Sequence, residues 1–327
     1  MIKKIIKKTP KYLKVPTQAV IFFSLLLLVT SFFAGAYWLG NSGTLFSSNS
    51  KDIPVFAAEK NEKPQLDFYV MSFCPYGNQI EDVIAPVAKL MGDKAIFQPR
   101  YIFDKIDNLA DYCKTRSGDP TQCALYVQNN YFPSESECKK TIQANLTACQ
   151  DEKAYIKSSN GSYYASLHGR QEANQNIREI CAWNQVEDKN IWWDFISLIN
   201  TNCTDQNADN CWQDQAQQAG LDTNKITECF NKEAVELIEK EIAFTTQNQV
   251  QGSPTVFVNG VSFPPETAYT QDGKGQLKIG SKVIDQADFR TPNVLKESVC
   301  ASFKKSPKEC KTILEAISEN APAAGGC

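Results

Sequence analysis

The stretch DFYVMSFCPYGNQ (residues 67–79) joins a strand pattern, a cysteine and the start of a helix. An apolar run rich in β-forming residues, 66–73, predicts a strand that ends immediately before Cys74. Pro75 takes the first helical position, where its missing N–H costs nothing, and apolar residues then recur at helical spacing up to Gly92: Ile80, Val83, Ile84, Val87 and Leu90. A cysteine at a helix N-terminus is favoured as the nucleophilic thiolate. The alternative is a small buried residue or one half of a structural disulfide.

The remaining pattern predicts one α/β domain that is interrupted by a long insertion. Residues 95–103 form a second predicted strand, so the domain opens with a β-α-β unit. Polar segments with helical periodicity and most of the cysteines fill residues from about 104 to 249, which predicts a helical insertion. The sheet is expected to resume at GSPTVFVNG (252–260), with 278–285 as a candidate partner strand and a capped helix at 291–303.

The first forty residues predict a membrane anchor. Lysines precede an uncharged run, 19–40, which is long enough to cross a bilayer as a helix. The positive-inside rule then leaves the N-terminus cytoplasmic and the domain extracytoplasmic. A cleaved signal peptide ending near residues 34–36 is the alternative, and it also exports the domain. We therefore divide the chain into a basic cytoplasmic segment (1–18), a transmembrane helix (19–40), a linker (41–64), the domain (65–305) and a C-terminal tail (306–327).

Charge and cysteine content narrow the class of protein. A net charge of −3 and a pI near 5.5 argue against a nucleic-acid partner, because phosphate binding needs a basic face. The chain has 12 cysteines and a single histidine, so we expect disulfides rather than a metal site, and no organic cofactor. Pairing of sequence neighbours predicts the bridges Cys113–Cys123, Cys138–Cys149, Cys203–Cys211 and Cys300–Cys310, while Cys181 and Cys229 could face each other across a helical pair. This pairing leaves Cys74 and Cys327 as free thiols.

The motif Cys74-Pro75-Tyr76-Gly77, together with Ser253-Pro254-Thr255 before a strand, resembles the thioredoxin superfamily. The resemblance implies a thioredoxin-like α/β fold in which Pro254 is cis and lies against a catalytic Cys74. It also implies that Ser253, with Tyr76 and Thr255, holds an extended polypeptide or protein disulfide substrate. The long helical insertion is similar to that of the DsbA-like branch, which implies thiol–disulfide exchange supported by an unidentified thiol electron donor.

The insertion carries a second resemblance. SLHGRQEANQNIREIC (residues 166–181) is similar to the signature CQHGxxECxxNxxExC of the gamma-interferon-inducible lysosomal thiol reductase family. The matches are His168, Gly169, Glu172, Asn176, Glu179 and Cys181, and the departures are Ser166, Leu167 and Ala173. His168 is interpreted as an orienting residue, or alternatively as a base near Cys74. Residues 254–310 also look like the thioredoxin-like part of plant vacuolar sorting receptors, which bind cargo peptides.

Gly77 occupies the place where a redox motif usually has its second cysteine. Cys74 alone can attack a disulfide but cannot release itself from the mixed disulfide that forms. Cys74 could therefore act as a monothiol, or Cys327, after the small-residue stretch APAAGG, could resolve the intermediate. A third alternative is a catalytically weak module that binds extended peptides beside Pro254. An iron–sulfur cluster on the single thiol is a fourth, which exported domains seldom carry.

Overall fold

The computed structural model describes residues 52–315 and Cys327. The predicted cytoplasmic segment (1–18), the transmembrane helix (19–40) and the first part of the linker lie outside the described residues. Within the described part, no helix is both long enough and apolar enough to span a membrane.

The described elements alternate between short strands and helices. The strands are β1 (Val55–Phe56), β2 (Gln65–Val70), β3 (Ile96–Tyr101), β4 (Asp104–Ile106), β5 (Ile156–Lys157), β6 (Tyr163–Ala165), β7 (Thr255–Val258), β8 (Val261–Ser262), β9 (Gln276–Ile279) and β10 (Lys282–Asp285). The α-helices are α1 (Pro75–Met91), α2 (Leu109–Ser117), α3 (Cys123–Gln128), α4 (Glu135–Cys149), α5 (Arg170–Gln185), α6 (Lys189–Asn202), α7 (Ala208–Gln218), α8 (Thr223–Gln247) and α9 (Pro292–Ala301).

A four-stranded sheet in the order β3-β2-β7-β8 forms the centre of the domain. β2 and β3 are parallel and are joined through α1, which is the predicted β-α-β unit. β7 returns antiparallel to β2, with Phe68 opposite Val256. This arrangement places the end of β2, the start of α1 and the start of β7 side by side.

The residues immediately before β2 belong to the domain, although the sequence placed them in a linker. β1 pairs in parallel with β9, and Asn61 forms a bridge with Phe303 after α9. Phe56 is buried against Phe263 with ring centroids 5.1 Å apart. The segment is polar overall, but Phe56 and the backbone pairing of β1 dock it on the domain.

The candidate partner strand at 278–285 does not pair with β7. Gly280 has a φ of +58°, which turns the chain and splits the segment into the antiparallel strands β9 and β10. These strands form a second sheet with β1, in the order β1-β9-β10.

The insertion between β3 and β7 is mostly helical, as predicted, but it also contains a small sheet. β6 lies between β4 and β5 and is antiparallel to both. Its three residues are buried, and Tyr163 and Ala165 pack in a small apolar cluster with Ile106 and Tyr155. These strands could not be predicted from the sequence, because each has only two or three residues and the residues around them have helical periodicity.

Helix α6 fixes the insertion on the central sheet. The ring of Trp193 stacks on Phe68 of β2, with centroids 5.6 Å apart. Trp192 is fully buried, and its indole N–H donates to the carbonyl oxygen of Glu179 on α5 at 2.9 Å. Aromatic pairs of this kind add about 0.5–1.5 kcal/mol beyond the burial of their area. Helix α5 is thereby held next to the sheet.

Two of the predicted disulfides are wrong. The bridges are Cys113–Cys149 and Cys123–Cys138, so the second bridge is nested inside the first along the chain. Cys138 lies in the first turn of α4 and Cys149 is its last residue, so the two sulfurs lie at opposite ends of a 15-residue helix. Helices α2 and α3 pack against different ends of α4, and each supplies one partner. Three further bridges confirm the predicted pairs: Cys181–Cys229, Cys203–Cys211 and Cys300–Cys310.

Candidate active site

Cys74 is the N-cap residue of α1. Its backbone is extended, with φ −72° and ψ 117°, and its Sγ accepts a hydrogen bond from the N–H of Gly77 at 3.4 Å. Its own N–H donates to the carbonyl oxygen of Met71 at 3.0 Å. The free N–H groups and positive end of the helix dipole thus face the sulfur, and such an environment stabilises a thiolate. The residue is 0% exposed.

Cys74 forms a disulfide with Cys327. The expectation that both cysteines are free thiols is therefore wrong. The Cα atoms are 6.1 Å apart although 253 positions separate the two residues in the chain. Neighbour pairing could not find this bridge, because its two cysteines lie far apart in the chain.

Cys327 also pairs with Ser253 through the backbone. The N–H of Cys327 donates to the carbonyl oxygen of Ser253 at 2.7 Å, and the N–H of Ser253 donates to the carbonyl oxygen of Cys327 at 3.2 Å. An exchange of both bonds between two residues is the pattern of an antiparallel strand pair. Ser253 precedes β7, so these two groups are not used by the central sheet.

The loop before β7 lies directly against the cysteine. The Ser253–Pro254 peptide bond is cis, which is the geometry that the resemblance implies. The Oγ of Ser253 accepts a hydrogen bond from the N–H of Met71 at 3.2 Å, and its carbonyl oxygen lies 3.5 Å from the Sγ of Cys74. Thr255 is half-buried and donates through Oγ1 to the carbonyl oxygen of Gly252 at 2.7 Å.

The structure thus brings together four of the predicted site residues: Cys74, Ser253, Pro254 and Cys327. Pro75 is exposed at the first position of α1, and Tyr76 is partly exposed beside it. Both residues follow Cys74 directly in the chain. Among the described contacts, neither makes a hydrogen bond to its sulfur.

Gly77 has no room for a side chain. A Cβ at this position would lie 2.8 Å from the Oγ of Ser253 and 3.3 Å from the carbonyl oxygen of Met71. The space that a second cysteine of the motif would need is therefore occupied by Ser253. This close packing provides a physical reason for glycine at position 77.

Glu172 on α5 connects the insertion to the residue before the cysteine. Its carboxylate is 0% exposed and accepts from the N–H of Phe73 at 3.0 Å and from the Oγ of Ser166 at 2.7 Å. It also accepts from the N–H of His168 at 2.9 Å, and the Nδ1 of His168 lies 2.8 Å from it. The described contacts of His168 are with Glu172 and not with Cys74, so its position fits an orienting residue.

Asn176, one turn further along α5, binds the neighbouring residue of the same loop. Its Oδ1 accepts from the N–H of Ser72 at 2.9 Å and from the Oγ of Ser72 at 2.7 Å. Asn176 is fully buried and Ser72 nearly so. The polar face of α5 therefore fixes the backbone of the loop that leads into Cys74.

Two buried carboxyl groups lie behind this loop. Burial raises the pKa of Glu179 on α5 to about 7, while Tyr101, Gln175 and Ser72 act in the opposite direction. Burial also raises the pKa of Glu81 on α1 well above its usual value, and the negative charge of Glu179 adds to this shift. Asn200 donates to Glu81 at 2.8 Å. Glu81 was not predicted from the sequence, although its place among the apolar residues of α1 is a signal.

A cavity of about 220 Å³ opens beside Pro254. Its lining includes Ile80, Val83, Thr255 and Phe263. The Phe263–Pro264 peptide bond at its rim is also cis. This cavity could not be predicted from the sequence, because its walls come from four separate elements, α1, β7, β8 and α9. Among the described residues, no group of three or more histidine, cysteine or acidic side chains is arranged to bind a metal ion.

Comparisons with known proteins agree with the thioredoxin-like architecture. The family model of the vacuolar sorting receptor thioredoxin-like domain matches residues 74–270. A search of curated proteins finds no match.

Among solved structures, the chain is similar to the reduced disulfide bond oxidoreductase DsbG of Mycobacterium tuberculosis. The identity is 13% and the TM-score 0.40, over 82% of this chain and 92% of that one. It is also similar to reduced DsbA of the same organism, with 13% identity and a TM-score of 0.38 over 79% and 91% of the two chains. A probable DsbA oxidoreductase of Streptomyces coelicolor gives 12% and 0.37 over 81% and 98%.

The family model covers more than half of the 327 residues, from 74 to 270, a range that includes both Cys74 and Pro254. The chain belongs to the family of the vacuolar sorting receptor thioredoxin-like domain, and thus to the thioredoxin superfamily that its motifs resemble.

Proposed function

We propose that the protein is a thiol–disulfide oxidoreductase that acts on protein disulfides, with Cys74 as the nucleophile and Cys327 as its internal partner. One observation carries the proposal: Cys327 is bonded to Cys74 and is also paired through its backbone with Ser253. In this proposal, Cys327 supplies the second sulfur that the Cys74-Pro75-Tyr76-Gly77 motif lacks.

The chemistry balances with these two cysteines. The Cys74 thiolate attacks a substrate disulfide, which forms a mixed disulfide and releases one substrate thiol. The thiolate of Cys327 then attacks the sulfur of Cys74, which releases the second substrate thiol and produces the Cys74–Cys327 disulfide. The N–H of Gly77 and the N-terminus of α1 stabilise the attacking thiolate. A thiol electron donor restores the two thiols.

An extended polypeptide fits the site after Cys327 has left it. The N–H and carbonyl oxygen of Ser253 that pair with Cys327 can then pair with a substrate backbone in the same antiparallel way. In that register, residues preceding the substrate cysteine run beside Pro254 and Thr255. These two residues line the cavity of about 220 Å³, which has room for an apolar side chain.

We further propose that the domain is exported and anchored through residues 19–40, with the N-terminus in the cytoplasm. The uncharged run and the lysines before it support the anchor and its orientation. Six disulfides support an extracytoplasmic domain, because disulfides persist in oxidising compartments.

Turnover of a peptide disulfide with a fluorescent reporter tests the enzymatic proposal. With the full-length protein and a thiol donor, Cys74→Ser should lower turnover at least about 100-fold. Cys327→Ser should accumulate the mixed disulfide on Cys74. A double Cys203→Ser and Cys211→Ser variant, which removes a bridge of sequence separation 8 in the insertion, is the matched control. Full turnover by Cys74→Ser would refute the proposal.

A peptide-binding module without turnover is the second candidate. The pairing of Ser253 with Cys327 favours it, since this geometry can hold any extended backbone irrespective of chemistry. A cysteine-free extended peptide that binds reduced wild-type protein and Cys74→Ser equally, together with no turnover by either, would establish this alternative.

A further inference from the structure

We propose that the thiol electron donor attacks Cys327, and not Cys74, when it reduces the oxidised protein. This inference rests on the proposed function and assigns the two sulfurs to different partners. Cys74 exchanges with the substrate disulfide, and Cys327 accepts the donor.

Burial of the two cysteines differs in the oxidised state. Cys74 is 0% exposed, beneath Ser253 and the first turn of α1, whereas Cys327 is partly exposed. A thiolate attacks a disulfide along the S–S axis, from the side opposite the sulfur that leaves. Attack on Cys74 would have to come through the protein interior. Attack on Cys327 comes from the side facing away from Cys74.

The leaving sulfur gives a second, independent argument. A thiol with a lower pKa leaves faster in thiol–disulfide exchange. Cys74 is the N-cap of α1 and its Sγ already accepts the N–H of Gly77 at 3.4 Å, so the structure is prepared for a thiolate at this position. The described hydrogen bonds of Cys327 are through its backbone to Ser253, and none of them reaches its sulfur. Expulsion of Cys74 is therefore the favoured cleavage.

The reaction balances with two donor thiols. The first donor thiolate forms a bond to the Sγ of Cys327, the Cys74–Cys327 bond breaks, and Cys74 leaves as the thiolate. A second donor thiolate then attacks the donor sulfur of this mixed disulfide. The attack forms the donor disulfide and releases the thiolate of Cys327, which takes up a proton from water. The protein gains two electrons and the donor loses two.

The contacts between Ser253 and Cys327 explain how attack of the donor on Cys327 prepares the substrate site. When Cys327 carries the donor, no covalent bond holds it against Ser253, and only the two backbone hydrogen bonds at 2.7 and 3.2 Å oppose its departure. The donor thus uncovers Cys74 and the backbone of Ser253 in the same step in which it delivers electrons.

Mapping of the first mixed disulfide tests the inference. Oxidised full-length protein is mixed with reduced glutathione, quenched with acid at a series of early times, and treated with a thiol-blocking maleimide. Mass spectrometry of the digested protein then locates glutathione and maleimide. The Cys203–Cys211 bridge is the internal reference, because it also joins a buried cysteine, Cys203, to a partly exposed one, Cys211. Neither of its cysteines is a helix N-cap, so it reports the effect of exposure alone.

At times extrapolated to zero, glutathione on Cys327 with maleimide on Cys74 should exceed the opposite arrangement at least about tenfold. Glutathione mainly on Cys74, or an even division, would overturn the inference and leave the proposed function standing. If glutathione joins neither sulfur and dithiothreitol also fails to reduce the bridge, the inference and the proposed function both fail.

Discussion

Ser253 and Cys327 are joined by two backbone hydrogen bonds beside the disulfide that links Cys327 to Cys74. The same residue of the chain thus covers Cys74 and occupies the backbone groups next to Pro254. Oxidation and closure of the site are consequently one event.

Gly252 controls how closely Cys327 approaches. A Cβ at this position would lie 2.4 Å from the carbonyl oxygen of Cys327, so Gly252→Ala should force that oxygen away and break its hydrogen bond with the N–H of Ser253. We expect the equilibrium constant for closing the Cys74–Cys327 bridge to fall about tenfold, which corresponds to about 1.4 kcal/mol. Titration with glutathione buffers measures it.

Gln251→Ala is the matched control for this variant, because Gln251 is exposed and adjacent in the chain. It should leave the equilibrium constant within about twofold of the wild-type value. An unchanged constant in Gly252→Ala would show that Cys327 does not dock against this backbone in solution.

Asn176 should matter for stability through the loop that precedes Cys74. Asn176→Ala leaves the N–H and hydroxyl of buried Ser72 without their shared acceptor, Oδ1. A buried group without a partner costs about 1–3 kcal/mol, and urea unfolding measures this loss. Asn210→Ala, at an exposed position of α7, should change the free energy of unfolding by less than about 0.5 kcal/mol. Equal effects of the two variants would contradict the role of Asn176.

The raised pKa of Glu179 should make the stability of the protein depend on pH. Its pKa is about 7 in the folded protein, against 4.5 as its ordinary value. Between these values the folded state retains a proton that the unfolded state has lost, so the contribution of Glu179 to the free energy of unfolding falls as pH rises. Its stabilising effect is fully present below about pH 4.5 and is lost as pH rises through about 7.

Glu179→Gln should therefore flatten the decrease in stability between pH 5 and pH 8, as measured by urea unfolding at each pH. Glu228→Gln is the control, because Glu228 is exposed and its bond to Lys232 lowers its pKa. Glu228 stays ionised throughout this window, and its variant should retain the wild-type slope. An identical slope in Glu179→Gln and wild type would refute the assignment.

The disulfides of the insertion should differ in their contribution to stability. Cys181–Cys229 closes a sequence separation of 48, and Cys203–Cys211 one of 8. The chain-entropy relation predicts that the longer loop stabilises by about 1.5 kcal/mol more. Calorimetry of the two double Cys→Ala variants tests this order. A larger loss for the shorter loop would contradict it.

The order of the main elements could be predicted from the sequence because each has a strong local signal. The apolar run before Cys74, the helical spacing after Pro75 and the β-forming residues after Pro254 gave β2, α1 and β7, and the thioredoxin-like fold is confirmed. The pairing of β1 with β9 was missed, because a two-residue strand has no periodicity and its partner is more than 200 positions away.

The candidate site was predictable where residues carry their own chemistry. Cys74, Ser253 and Pro254 come together as the resemblance implies, and the sequence offers Cys327 as one candidate for a resolving cysteine. The bond between Cys74 and Cys327 could not be established from the sequence, since it depends on contact across 253 positions. The collision that a side chain at Gly77 would make with Ser253 depends in the same way on three-dimensional packing.

The most direct test of a redox pair formed by Cys74 and Cys327 is differential alkylation of the full-length protein at increasing dithiothreitol concentrations. Peptide mapping by mass spectrometry follows each of the 12 cysteines. Cys74 and Cys327 should become alkylated together and before the other ten cysteines. Their bridge contains the sulfur of Cys74 at the N-terminus of α1, which is a good leaving group in thiol–disulfide exchange. Alkylation of Cys74 in the absence of reductant, or a different partner for Cys327, would contradict the account.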